Sequence, residues 1–134
     1  MENIAIYHST GLAVAVTGFV LFLSLLVADV AGVIAKKTPG VLAKEDHSNF
    51  LFRSNRALGN MNESIAIFII FALIGILSGA DAKWLAYFSW VYAGARSAYL
   101  FCYWFNIKLL RSICFGVSLI GIGGMGYVMV RGLL

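Results

Sequence analysis

The stretch Arg53-Ser-Asn-Arg-Ala-Leu-Gly-Asn-Met-Asn-Glu63 sets two arginines, asparagines and a carboxylate at the head of a strongly apolar run. Ionisable side chains at membrane depth are costly and mark either a functional site or a buried partner. On a helix, Arg53, Arg56, Asn60 and Glu63 follow steps of three, four and three, so they share one face. Arg96, Tyr99 and Tyr103 repeat that spacing further along, and Arg111-Ser112 opens the last apolar run. Arginine's planar fork makes paired, charge-assisted bonds to carboxylates, so the chemistry suggested is anion recognition.

The elements that carry these residues are membrane helices. The chain has 134 residues, 61% of them hydrophobic and only 12% charged, with a mean hydropathy of +0.90. A soluble globule of that size has too much surface to hide so much apolar area. Four runs, at residues 11–35, 57–80, 84–105 and 112–130, each approach the ~20 residues a helix needs to cross a bilayer. Backbone groups in lipid must pair within their own segment, which selects helices. The sequence therefore predicts an all-α, up-down four-helix membrane bundle, with residues 1–134 forming one domain. Lys36, Lys37, Lys44, Arg53 and Arg56 lie between the first two runs, and Lys108 and Arg111 between the last two. The positive-inside rule puts both basic loops in the cytoplasm and both termini on the other side. The first run is too long for a cleaved signal and reads as a retained helix.

Much of the remaining polarity has a plain structural reading. Arg53, Arg56 and Arg111 suit interfacial anchors whose stems lie along apolar surface. Asn60 suits a bridge between helices, and Ser112 an N-cap for the last helix. Asp29 reads as a charge partner or a groove residue, and Arg96 has the depth to pair with it or with Glu63. The net charge of +4 follows the topological bias, and no basic stripe interleaved with aromatics suggests nucleic acid. Gly121-Ile-Gly-Gly-Met-Gly126 satisfies a dinucleotide-binding pattern literally, but within a membrane helix it reads as close packing. Asn62-Glu-Ser64 matches a glycosylation sequon on the wrong side of the membrane. Cys102 and Cys114 read as small buried apolar residues. His8 and His47 fall outside the apolar runs, which disfavours haem ligation, and no metal-ligand or triad spacing occurs.

Arg56-Ala57-Leu-Gly-Asn60-Met-Asn-Glu63 resembles the hallmark of the MAPEG family, the membrane-associated proteins in eicosanoid and glutathione metabolism. Arg96-x-x-Tyr99-x-x-x-Tyr103 and Arg111-Ser112 match as well, so the likeness covers the whole chain. It looks like a divergent bacterial member similar to microsomal glutathione transferases. The resemblance implies a homotrimer in a bacterial inner membrane, with glutathione as co-substrate in clefts between protomers near the cytoplasmic face. It implies that Arg53, Arg56, Asn60, Glu63, Tyr99, Tyr103, Arg111 and Ser112 line that site, with Arg96 bracing Glu63. A neighbouring cation favours the thiolate over the thiol, a role that suits Arg111, with the Ser112 hydroxyl as a second donor. The electrophile would be a lipophilic small molecule or lipid hydroperoxide arriving from the bilayer. Gly59 stands where prostaglandin synthase-like members carry an arginine. Leu58 and Met61 replace a His and an Asp common in the family, and Phe115 replaces a tyrosine seen in some. No arginine occurs late in the first run.

Two other functions compete with transferase or peroxidase chemistry. A small proton-coupled transporter would use Asp29 or Glu63 as its intramembrane carboxylate, although the arginines disfavour cationic cargo. A non-catalytic membrane scaffold is consistent with the donors missing at Gly59 and Phe115.

Overall fold

The computed structural model describes residues 5–134. Among these, four helices follow one another: α1 (His8–Ile34), α2 (Phe50–Leu77), α3 (Ala82–Trp104) and α4 (Lys108–Leu133). His8 is thus the first residue of α1 rather than lying outside it. The bundle runs up and down. Tyr7 Oη donates to the carbonyl of Ala80 in the α2–α3 turn, and Gly132 near the end of α4 packs on Ala80 and Ser78. The start of α1 and the end of α4 therefore share one end of the bundle.

The polarity of α1 is that of a membrane helix. Its buried stripe is Thr10, Ala13, Thr17, Ser24, Ala28 and Ala31, while Phe19, Phe22, Val30 and Val33 point outward. Small inward residues let membrane helices approach closely, and large apolar residues face the acyl chains. α1, α2 and α4 are long and apolar enough to cross a membrane, so the chain is an integral multi-pass membrane protein. The expectation of four such runs needs one correction. α3 has the length, at 23 residues, but its Lys83, Arg96 and tyrosines keep it out of that set. Lys83 and Tyr87 stay exposed, but Tyr92, Arg96, Tyr99 and Tyr103 are all buried by neighbouring helices.

Helix ends are set by local chemistry. α2 begins at Phe50, seven residues before the apolar run, because the Asn49 side chain accepts from the amide of Leu51. Asp81 caps α3 by accepting from the amides of Lys83 and Trp84. α1, α2 and α3 all end with the paired backbone bonds of a Schellman turn, in which Lys36, Gly79 and Asn106 take positive φ. α4 begins after Ile107 with no side-chain cap. Ser112 lies inside it and donates back to the Lys108 carbonyl at 3.4 Å, so Ser112 is not the cap. In the loop before α2, Asp46 accepts the hydroxyl and amide of Ser48. The hydroxyl bond first, and the amide bond second, hold its carboxyl below the usual range.

α3 and α4 pack more extensively than any other pair, and glycines make this possible. A Cβ on Gly121 would stand 2.8 Å from the backbone nitrogen of Tyr92, and one on Gly124 would enter the Phe88 ring. The literal nucleotide pattern is therefore a helix-packing surface. Gly121→Ala is expected to lower stability by about 1–3 kcal/mol through forced separation of α3 and α4. Gly123, with nothing within 4 Å of its Cβ position, should accept alanine without loss. Thermal unfolding of the two variants in detergent measures the contrast.

Candidate functional site

The centre of the site is a column of cations and rings contributed by α3 and α4. Residues three and four apart on α3 stack Arg96, Tyr99 and Tyr103 along one face. The Arg96 guanidinium lies 5.3 Å from the Tyr99 ring centre, and Tyr99 meets Tyr103 edge-on at 5.2 Å. Arg111, in the first turn of α4, completes the column 4.3 Å over the Tyr103 ring. Cation–π contacts of this kind stabilise arginine where water is scarce. Ala57 of α2 packs beneath these tyrosines, together with buried, unpaired Cys102 and Cys114.

Arg96 is only 1% exposed. Its Nη2 donates to Ser64 Oγ at 2.6 Å, and that hydroxyl also meets Tyr92 Oη at 2.8 Å. Arg96 therefore bonds neither Glu63 nor Asp29; both carboxylate residues are exposed on the surface of the chain. Its charge is moderated by the rings of Tyr92, at 5.8 Å, and Phe115, at 5.2 Å, besides Tyr99. Among the described residues, the Nε and Nη1 of Arg96 and the Nη1 of Arg111 are buried without a hydrogen-bond partner. Buried donors of this kind are normally satisfied, so these three guanidinium nitrogens hold hydrogen-bonding capacity that the described residues do not use.

The residues of α2 divide. Arg53 turns to the loop: its Nη1 donates to the carbonyls of His47 and Ser48, each at 2.8 Å, and its Nη2 to that of Trp104 at 3.3 Å. It ties loop, α2 and the end of α3 together. Asn60 is buried and donates to the Arg56 carbonyl of its own helix at 3.0 Å, not across to another helix. Arg56 and Glu63, two turns apart, are both exposed. Arg56 lines a polar hollow of about 500 Å³ with Lys37, Glu45 and Asn55. The shared face expected of the four residues is thus split, with Asn60 turned inward and Arg56 and Glu63 turned outward. Ser112 is exposed beside Arg111.

Sequence reasoning missed Ser64 and Tyr92 as parts of this assembly and assigned Phe115 no positive role. The signal was present: Ser64 stands one turn beyond Asn60, and Tyr92 one turn before Arg96. Phe115 was noted only for the hydroxyl it lacks, yet its ring face is what Arg96 rests on.

Helices that cross a bilayer and enclose arginine columns at one end define an integral membrane protein with a polar site sunk among its helices. The MAPEG family model matches residues 1–131. The chain belongs to the MAPEG family, whose members are membrane-associated proteins of eicosanoid and glutathione metabolism. A search of curated proteins found no match.

Proposed function

We propose that this protein is a membrane-embedded glutathione transferase, able also to reduce lipid hydroperoxides, and that it works as a homotrimer with its sites between protomers. The observation that carries the reading is the set of unpartnered guanidinium donors on Arg96 and Arg111, beside two buried tyrosines. Glutathione has two carboxylates and one ammonium, so arginines accompanied by one glutamate are complementary to it. Arg56 would take a carboxylate, and Glu63 the ammonium. Asn60 would shape the floor between them, and Arg53 would hold the loop in place. Arg111, with the Ser112 hydroxyl alongside, would stabilise the thiolate. The thiolate then forms a carbon–sulfur bond to a lipophilic electrophile, whose leaving group carries off the displaced electron pair.

Exposure of Arg56 and Glu63 supports the trimer. Glu63 lies about 20 Å along α2 from Phe50, at the 1.5 Å rise of a helix. A charge turned to lipid at helix depth costs up to ~3 kcal/mol, whereas a second copy of the chain can cover it and bring it to the α3–α4 column. The family's cytoplasmic orientation and a bacterial inner membrane complete the proposal.

Saturating glutathione is expected to raise the melting temperature in detergent, by the equivalent of about 2–3 kcal/mol at a hundredfold excess over Kd. Arg56→Ala and Glu63→Gln should weaken that shift. No shift at any concentration overturns the reading. A shift without conjugation of chlorodinitrobenzene or turnover of a hydroperoxide assigns the chain instead to the scaffold class.

A further inference from the structure

At the end of the bundle opposite the arginine column, a hollow of about 590 Å³ opens between the α2–α3 turn, the first turns of α3 and the last two turns of α4. Its volume falls in the ~300–1,000 Å³ range of small-molecule sites. Three aromatic residues line it, Trp84, Phe88 and Tyr127, together with one carboxylate, Asp81, and one guanidinium, Arg131. We infer that this hollow binds the headgroup of a zwitterionic phospholipid from the adjacent leaflet, with phosphate on Arg131 and ammonium between Asp81 and the aromatic faces.

The lining matches such a headgroup in kind. Among the described residues both bonds to the Asp81 carboxylate, from the amides of Lys83 and Trp84, fall on Oδ1. That leaves Oδ2 as the oxygen for a cation. Trp84 and Phe88 stack with ring centres 6.1 Å apart, and indole and phenyl faces attract ammonium groups. Arg131 lies in the last turn of α4 and is exposed, so its fork is available to a phosphate. Trp84 is 52% exposed and Tyr127 67%. Half-covered aromatics at a helix end suit the headgroup level of a bilayer. The pairing of charges selects among lipids. A phosphatidylglycerol headgroup has no ammonium to offer and would bring only negative charge near Asp81, whereas a phosphate–ammonium zwitterion satisfies both ends of the hollow.

The test is competitive retention. The detergent-purified protein is mixed with equal amounts of phosphatidylethanolamine and phosphatidylglycerol of identical acyl chains, and bound lipid is counted by native mass spectrometry. A preference of about tenfold for phosphatidylethanolamine is expected, the size of one desolvated cation contact. Asp81→Asn, which keeps a side chain that caps helices equally well, should abolish that preference with the fold intact. Arg131→Gln should lower retention of both lipids. Equal retention of the two lipids by the unaltered protein overturns the inference. So does a preference that survives Asp81→Asn, because the ammonium would then have another partner.

Discussion

Ser64→Ala is expected to lower the stability of the folded chain by about 2–4 kcal/mol, more than any other loss of a single hydroxyl in it. Ser64 Oγ is the acceptor for Arg96 Nη2 and the partner of Tyr92 Oη. Its removal leaves a nearly fully buried guanidinium with only aromatic faces against it, and strands a buried phenol as well. The cost comes from the groups left behind rather than from the methylene surface, which alanine preserves. That origin makes the prediction separable by a double-mutant cycle. Arg96→Met replaces the buried cation with an apolar chain of similar length and should leave stability unchanged or higher, as removal of uncompensated buried charge does. In the Arg96→Met background, Ser64→Ala should cost about 1 kcal/mol or less, the value of one neutral hydrogen bond to Tyr92. Thermal or denaturant unfolding in detergent reads all four corners of the cycle. Equal costs of Ser64→Ala in the two backgrounds would show that Arg96 draws no support from Ser64. Ser64→Thr, which keeps the hydroxyl, should recover most of the stability.

Much of the architecture was readable because the bilayer imposes its own arithmetic. Apolar runs near twenty residues located all four helices, and the polar spacing of α3 placed Arg96, Tyr99 and Tyr103 on one face, where they stand. The boundaries were less readable. An apolar run marks where a helix enters lipid, not where its hydrogen bonds begin, so α2 starts at its Asn49 cap, well before residue 57. The same difference put Arg53 and Arg56 inside a helix and gave each a distinct direction. Steps of three and four bring residues to one side of a helix, but over ten residues that side spans enough arc to hold both a buried Asn60 and an exposed Glu63. Charge pairing was the hardest to foresee. Depth alone suggested Glu63 or Asp29 for Arg96, while the packing of α2 on α3 delivers the neighbouring hydroxyl of Ser64, and α3 itself and α4 supply three ring faces. Under the proposed trimer, the fate of Glu63 belongs to the surface between copies of the chain, which no periodicity within one copy reveals.

Arg111→Ala should reduce turnover of an electrophile by about 10²-fold while changing glutathione affinity only a few-fold, under the proposed transferase function. The guanidinium of Arg111 sits over the Tyr103 ring with its Nη1 buried and unpartnered. A donor held in that state is pre-aimed, and it strengthens its interaction most with the group that gains negative charge. The sulfur of glutathione gains that charge on ionisation. An ordinary thiol titrates near ~8.5, and an adjacent cation lowers that value by stabilising the thiolate. Loss of the cation raises it again, so the rate profile of Arg111→Ala should move to higher pH, and its deficit should shrink as the solution becomes alkaline. Arg111→Lys keeps a positive charge but not the planar fork that lies on Tyr103, and should fall between the two. The pH profile separates this role from a structural one. A subunit merely weakened by losing the Arg111–Tyr103 contact would show lower activity at every pH, with no displacement of the curve. An unmoved profile with full turnover would transfer thiol activation away from Arg111, leaving Arg96, the arginine beside Tyr99 with two unpartnered buried nitrogens among the described residues, as the group to examine by the same measurement.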